Sequence, residues 1–292
     1  MRSFKDHNPA AVAFYFLAVT AVSMFTMNPV LHILTFIGGI TQFSIQKVGR
    51  KTATHLFFIG LGIVLALIRP VFNHNGATVL FVVNDNPITK EAFIYGVNAA
   101  IIVVGVLYLF RVFSIIMTSD RLLYLFGRFS PKTALVMSMG LRYVPLLREK
   151  SRQIKAAQTA IGINRDDNAI DRIKAGLNVF SATISWGLEN GIITADSMAA
   201  RGYGKHKRTQ FSRFSFTKSD MIIILLTIGL IIPSIMSFFF GYYNVAFYPY
   251  FEMKETNGYG VVGYITFAIL MMMPVAADIT ENFRWKRLMS RI

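Results

Sequence analysis

The uncharged stretch MIIILLTIGLIIPSIMSFFF, residues 221–240, decides the fold of this chain. Its length matches the roughly 20 apolar residues that an α-helix needs to cross a bilayer. Five further uncharged stretches of similar character lie at residues 9–27, 30–46, 52–68, 92–110 and 260–277. The second and third of the six are short, so each fits either a tilted span or a re-entrant segment. The pattern predicts an all-α polytopic membrane protein with about six transmembrane helices.

The composition agrees with a membrane protein. Of 292 residues, 54% are hydrophobic and only 15% are charged, whereas an ordinary soluble domain has about 25% charged residues. These values exclude a disordered chain, a secreted disulfide scaffold and an ordinary cytosolic enzyme. The chain has no cysteine, which removes disulfides, thiolate metal sites and cysteine nucleophiles. A net charge of +15 would suggest nucleic acid in a soluble protein, but in a hydrophobic chain it indicates basic cytoplasmic loops.

The charge alternates along the gaps between the apolar stretches. Four gaps are basic, with net charges of +1 at residues 1–8, +3 at 47–51, +10 at 111–220 and +2 at 278–292. The three gaps between them, at residues 28–29, 69–91 and 241–259, are neutral or carry −1. Positive-inside sorting therefore predicts a multi-pass protein of the cell membrane with both termini in the cytoplasm. The basic N-terminus also fits a signal peptide, but five later spans favour a retained first helix.

The spans divide the chain into three predicted regions: four spans in 1–110, a cytoplasmic helical region in 111–218, and two spans with a basic tail in 219–292. Residues 78–83 are mostly β-branched or aromatic, and turn-forming residues follow them. This pattern predicts a small extended or hairpin element in the 76–89 loop, on the outer face of the membrane. An irregular loop is the alternative.

Two long amphipathic helices are predicted in the cytoplasmic region. Residues 144–161 repeat apolar positions every seven residues, and residues 169–201 carry one apolar stripe, formed by Ile170, Ile173, Leu177, Phe180, Ile184, Leu188, Gly191, Ala195 and Met198. Asn168 stands where it would cap the second helix. The apolar stripes need partners, which are each other, the membrane surface or another protein. Basic side chains around them also suit anionic lipid headgroups.

The two helices end in similar tripeptides, Ala160-Ile161-Gly162 and Ala200-Arg201-Gly202. Glycine is the usual residue just after a helix because it enters the left-handed region without steric cost. Arg201 suits the negative end of the helix dipole, and its guanidinium can also reach carboxylates on a partner.

Several nearby side chains have two interpretations. Tyr203 and Trp186 fit either interface anchors or core packing, and Asp196 fits either pairing with solvent and nearby cations or a role in orienting Arg201.

These residues carry a resemblance to a known family. The block Ala195-Asp196-Ser197-Met198-Ala199-Ala200-Arg201-Gly202-Tyr203-Gly204, preceded by Leu141-Arg142-Tyr143-Val144-Pro145-Leu146-Leu147 and by Gln153-Ile154 and Ala157-Gln158, resembles the transmembrane T component of energy-coupling factor (ECF) transporters. This is the EcfT/CbiQ family. The spacing between the blocks matches, and a looser resemblance runs over nearly the whole chain.

The resemblance implies a non-catalytic coupling subunit of an ATP-driven importer. In the family, two cytoplasmic coupling helices each end in an Ala-Arg-Gly or Ala-Arg-Ser motif that docks on one of two ABC-type ATPases. The helices also cradle a small membrane-embedded S component that binds the substrate, a vitamin or a transition-metal ion. Ala200-Arg201-Gly202 matches one motif, whereas Ile161 replaces the arginine of the other. The first helix is therefore expected either to dock by apolar contact or to use Arg165 in place of the missing motif arginine. Gln158 is expected to support the same interface.

Other chemistry finds little support in the sequence. The sequence contains no G-x-x-x-x-G-K-[ST] pattern for binding ATP phosphates and no metal-ligand spacing among its five histidines, so neither a cofactor nor a metal is expected. Nucleic acid is not expected as a partner either. A stand-alone secondary transporter or channel remains the alternative, but the spans contain no paired carboxylates. A membrane enzyme acting on lipids would need a catalytic cluster near the interface. Asp166-Asp167 is the sole acidic pair in sequence.

Overall fold

A computed structural model describes residues 4–46, 51–73, 75–83, 86–163, 168–203, 214–253 and 258–289 of the protein. After a 3-10 turn at Phe4–Asp6, the helices of this described part are α1 (Pro9–Phe25), α2 (Pro29–Ile45), α3 (Lys51–Phe72), α4 (Lys90–Ile116), α5 (Ser119–Phe129), α6 (Pro131–Ala160), α7 (Ala169–Ala200), α8 (Lys218–Phe239) and α9 (Gly258–Met289). Its strands are β1 (Val79–Val83), β2 (Asn86–Thr89), β3 (Val245–Ala246) and β4 (Glu252–Met253). They form two compact units, Met1–Ser119 with Phe214–Ile292, and Asp120–Arg213.

The first unit contains the apolar helices. Among the described residues, four helices are long and apolar enough to cross a membrane, α3 from Thr52 onward, α4, α8 and α9. Helices α1 and α2 are equally apolar but have 17 residues each. The all-α membrane architecture predicted from the apolar stretches is therefore confirmed.

Helices α1 and α2 begin in the same way, at an Asn-Pro pair. The side-chain oxygen of Asn8 accepts a hydrogen bond from Ala10 N at 3.0 Å, and that of Asn28 accepts one from Val30 N at 2.9 Å. The proline that follows each asparagine occupies the first helical turn, where its missing N–H would have no intrahelical partner. The chain can therefore end α1 and start α2 within the few residues between Phe25 and Pro29.

The core of this unit forms where α2 packs against α4 and α9. Gly39 and Gly105 face each other across α2 and α4, and a Cβ built on Gly39 would lie 3.1 Å from the Gly105 carbonyl oxygen. Small residues of this kind let membrane helices approach closely. Beside them, Tyr108 is fully buried and its hydroxyl lies 2.9 Å from Nδ1 of His55. His32, near the start of α2, is buried against Asn98 and the Thr26 carbonyl.

Two buried carboxylates attach the N-terminal segment to α8 and α9. Oδ1 of Asp220 accepts hydrogen bonds from Nδ1–H of His7 at 2.8 Å and from Asn8 N at 2.9 Å. Its Oδ2 accepts from the backbone N and the hydroxyl of Thr217, at 2.8 and 2.7 Å. Asp278 on α9 accepts from Phe4 N at 2.9 Å. The start of the chain is thus held at one end of the helix bundle.

Strands β1 and β2 form an antiparallel hairpin between α3 and α4, with Val79 paired to Thr89 and Val82 to Pro87. The extended element predicted for residues 76–89 is therefore confirmed. Its base is polar, because Thr78 donates a hydrogen bond to the buried Glu91 carboxylate and Thr89 Oγ1 donates to the Asn75 carbonyl at 2.8 Å.

Candidate functional site

The second unit pairs α6 and α7 in antiparallel orientation. The Tyr143 hydroxyl on α6 lies 3.2 Å from Oγ1 of Thr194 on α7. About two helical turns further along α6, Nζ of Lys150 lies 5.3 Å from the centre of the Trp186 ring on α7. Increasing residue numbers on one helix therefore meet decreasing numbers on the other. Trp186 is half-buried in this contact, which favours packing over its predicted alternative as an interface anchor.

Both helices end with the same backbone geometry. The C-cap residues, Ile161 and Arg201, have φ/ψ of −89°/6° and −80°/4°. The glycines that follow, Gly162 and Gly202, have φ of 74° and 75°. The left-handed glycine predicted at each helix end is confirmed.

The hydrogen bonds at the two ends also match one to one. At the end of α6, Gly162 N donates to the Thr159 carbonyl and Ile163 N donates to the Gln158 carbonyl, at 3.1 and 3.0 Å. At the end of α7 the corresponding bonds are as follows: Gly202 N to Ala199 O at 3.0 Å, and Tyr203 N to Met198 O at 3.1 Å. Each pair constitutes a Schellman motif. Ile161 and Arg201 therefore occupy equivalent positions, although their side chains differ in chemistry.

The antiparallel pairing separates these two ends. Thr159, near the end of α6, lines the same cavity as Gly176, near the start of α7. From that level, about 26 residues of α7 lead to Arg201, or roughly 40 Å at 1.5 Å per residue. The two tips consequently face away from each other along the pair, too far apart for one small contact surface to include both.

The residues of the two tripeptides are accessible. Ile161 exposes 70% of its surface, and Ala160, Gly162, Ala200 and Arg201 are exposed as well. Gly202 is partly buried, and Tyr203 exposes half of its surface. Within the described part of the chain neither Arg201 nor Asp196 forms an ion pair, so an orienting role of Asp196 on Arg201 finds no support. The Arg201 guanidinium is free to meet an external carboxylate.

The remaining predicted residues differ in outcome. Gln158 is partly buried, and in the described structure its side-chain oxygen has no hydrogen-bond partner. Arg165 lies outside the described residues. Asn168 stands at the N-cap of α7 as predicted, but its side chain makes no capping hydrogen bond; only its carbonyl accepts from Arg172 N, at 3.0 Å. The predicted side-chain cap is therefore wrong.

The apolar stripe of α7 does not face α6. Val179 and Thr183 are the residues of α7 that are buried, whereas the stripe residues Ile170, Ile173, Leu177, Phe180 and Leu188 are all well exposed. Of the three partners considered for the stripe, mutual helix packing is therefore wrong for these positions. Among the described residues no group of three or more His, Asp or Glu side chains is arranged to hold a metal ion.

Comparisons with known proteins identify one family and several relatives. A family model, CbiQ, described as "Cobalt transport protein", matches residues 3–212. An energy-coupling factor transporter transmembrane protein EcfT from Bacillus selenitireducens is 28% identical over 179 residues, 57% of this chain and 67% of that protein. EcfT proteins from Listeria monocytogenes and Bacillus subtilis are 33% and 31% identical over 105 and 108 residues.

These matches cover limited parts of the relatives. The aligned segment spans 40% of the Listeria protein and 40% of the Bacillus subtilis protein, and 34% and 36% of this chain. The family model, however, includes α6, α7 and both of their C-terminal ends. Because it matches well over half of the chain, this chain belongs to the CbiQ family, as residues 141–147 and 195–204 indicated.

Proposed function

We propose that this chain is the T component of an ATP-driven ECF importer, a membrane scaffold that couples ATPase movements to substrate uptake. Its partners are two ABC-type ATPase subunits and a small membrane-embedded S component, which selects a vitamin or a transition-metal ion. The observation that carries the proposal is the pair of equivalent helix ends, Ala160-Ile161-Gly162 and Ala200-Arg201-Gly202. Their separation of roughly 40 Å suits two separate ATPase subunits rather than one.

In this proposal the protein crosses the cell membrane six times, with both termini in the cytoplasm. Helices α1 and α2, at 17 residues each, are about 26 Å long, close to the roughly 30 Å hydrocarbon core. A mismatch of this size is accommodated by slight thinning of the bilayer. The packing of α2 between α4 and α9 supports a membrane position for it, because both neighbours are apolar enough to span. The basic 111–218 region is then cytoplasmic.

The two ends dock by different chemistry. Arg201 presents a guanidinium at a helix end that forms no ion pair within the described residues, which suits a bidentate contact with a carboxylate of one ATPase. Ile161 presents an exposed apolar side chain at the equivalent position, which suits an apolar pocket on the other. Ala160 and Ala200 precede them and allow a partner backbone to come close. ATP hydrolysis takes place in the partners, and this chain contributes no catalytic group or cofactor.

The experiment is to co-express the chain with its candidate ATPases and S component, purify the complex through a tag on this chain, and measure uptake in vesicles. Arg201→Ala should retain less of one ATPase and lower uptake, while the amount of chain in the membrane stays unchanged. Loss of an interface anchor of this type costs about 2 kcal/mol, or roughly 30-fold in affinity.

Arg152→Ala is the matched control. Arg152 lies on the exposed surface of α6 and makes only a long 3.7 Å contact with Glu149, so the control removes the same charge from the same unit without touching a helix end. Wild-type retention and uptake in Arg201→Ala would refute the docking role of Arg201. Purification of the chain as a homo-oligomer, without ATPases or a small apolar protein, would refute the proposed complex.

A further inference from the structure

Strand β1 exposes apolar side chains on both of its faces. Val79, Leu80, Phe81 and Val82 leave 53%, 56%, 55% and 61% of their surfaces uncovered. The register shifts between Val79 and Phe81, but Phe81 and Val82 pair regularly with Ile88 and Pro87, so these two consecutive side chains point to opposite faces. The usual arrangement, with one face packed and the other polar and solvated, is therefore missing in this hairpin.

The hairpin is also open along one edge. β1 pairs with β2 alone in its sheet, and it is β2 that contacts α3 and α4. An uncharged apolar edge strand in water is a site for aggregation, and proteins normally protect such edges with charges, proline or a covering element. The described part of the chain supplies none of these to β1, so its exposed side chains need a further cover.

The apolar surface continues from the hairpin onto the two membrane helices that flank it. Phe72 at the end of α3 exposes 81% of its surface, and Phe93 in the first turn of α4 is exposed as well. These two helix ends lie side by side, because a Cβ built on Gly96 of α4 would come within 3.1 Å of Cβ of Arg69 on α3. Exposed apolar side chains are therefore present at both helix ends that flank the hairpin.

The same helix ends carry the side chains that mark the boundary of a membrane. The Arg69 guanidinium lies 5.1 Å from the centre of the Tyr95 ring, and Tyr95 packs against Phe247 and Tyr248. Tyrosine and arginine side chains concentrate at the level of the lipid headgroups, where one end is apolar and the other is wet. The hairpin, attached at residues 79 and 89, begins at this level.

We propose that the β1–β2 hairpin is seated in the membrane interface beside α3 and α4, with the side chains of β1 among lipid headgroups and upper acyl chains. Lipid explains the exposure of both faces, whereas a partner strand added to the open edge would pair the backbone and leave both faces bare. The unpaired edge of β1 limits how deeply the hairpin enters the bilayer. Unpaired N–H and C=O groups are excluded from the hydrocarbon core, but water and headgroup oxygens satisfy them in the interface. The hairpin is a lipid anchor, independent of any ATPase.

The test uses the absence of cysteine from the chain. Phe81→Cys and Val82→Cys, which lie on opposite faces of β1 in its regularly paired part, each receive one environment-sensitive fluorophore in the full chain, reconstituted at one copy per phosphatidylcholine–phosphatidylglycerol nanodisc. Quenching is compared between lipids with a nitroxide near the headgroup and lipids with a nitroxide near the chain end. Glu252→Cys, at an exposed acidic position of β4, is the aqueous control, and Ile63→Cys, at an exposed position within α3, is the deep control.

The proposal expects the headgroup-level nitroxide to quench labels at both 81 and 82 more than the label at 252. It also expects the chain-end nitroxide to quench them less than the label at 63. Quenching at either hairpin position no greater than at position 252 overturns the proposal, because one face would then meet water or protein. Leu80→Cys, at another exposed apolar position of β1, replaces either variant if that variant does not elute as a folded, monodisperse chain. With one copy per disc, a second copy of the chain cannot be the cover.

Discussion

Replacing Gly202 with alanine isolates the contribution of the helix-end geometry from that of the Arg201 charge. A Cβ at this position would meet no atom within 4 Å, so no clash contributes to the effect. What changes is the backbone, since φ at Gly202 is 75° and an L-residue in the left-handed region costs about 1 kcal/mol. The charge, the size and the position of Arg201 in the sequence stay the same.

The expected magnitude follows from that cost. Because 1.4 kcal/mol is tenfold in an equilibrium constant, about 1 kcal/mol raises the population of the frayed end roughly fivefold. Hydrogen exchange measured by mass spectrometry should show this increase in the last turn of α7, where Tyr203 N donates to Met198 O. Retention of one ATPase should fall by at most about fivefold, since only the ordered end is competent to dock.

Gly140→Ala is the matched control, because it makes the same chemical change inside α6, where a Cβ also meets no atom within 4 Å. In a helix interior alanine is favoured over glycine by about 1 kcal/mol, so the sign is reversed. Exchange at the end of α7 that is unchanged in Gly202→Ala, or that rises equally in Gly140→Ala, would refute the view that the left-handed glycine holds the end of α7.

Three further variants test other parts of the structure. Ile161→Arg places a charge in the apolar pocket proposed for the α6 end, so one ATPase should be lost in co-purification; retention of both ATPases would show that no apolar contact is required there. Asp220→Ala leaves the buried donors of His7 and Asn8 without an acceptor, at a cost of about 3 kcal/mol. The melting temperature should therefore drop by roughly 6–12 °C, and Asp220→Asn should give an intermediate drop. An unchanged melting temperature would contradict the role of Asp220 in attaching the N-terminal segment to α8. Gly105→Val should push α2 from α4 and cost about 1–3 kcal/mol, seen as a lower melting temperature in detergent, and a wild-type melt would show that the helices adjust.

Local patterns in the sequence predicted the elements whose signals are local. Each of the six uncharged stretches lies largely within one of the helices α1–α4, α8 and α9, and the glycines after residues 161 and 201 marked two helix ends correctly. The predicted start of the first amphipathic helix, residue 144, was late by 13 residues, since α6 begins at Pro131. No residue of α6 is fully buried, so no strongly apolar face marks where this helix begins. Ser130-Pro131, a capping residue before a proline, was the available signal.

Contacts between distant residues left no trace in the sequence. The hydrogen bond from His7 to Asp220 joins residues 213 positions apart, and a single sequence holds no pattern that pairs them. The orientation of the α7 stripe was equally hidden, because periodicity shows that a helix has an apolar face but not what covers it. The similarity of the two tips was visible as a tripeptide, whereas their opposite placement depends on the antiparallel pairing of α6 and α7.

Ile161 and Arg201 occupy equivalent positions but differ in charge, so we expect the two helix ends to respond differently to ionic strength. A contact made through the Arg201 guanidinium weakens as salt shortens the Debye length, about 8 Å at 0.15 M and 3 Å at 1 M. A contact made through the Ile161 side chain does not weaken in this way, and sulfate strengthens it. Rising salt should therefore release the ATPase at the α7 end first. In the proposed complex, the order in which the two ATPases dissociate thus depends on which side chain, Ile161 or Arg201, occupies the same backbone position at each helix end.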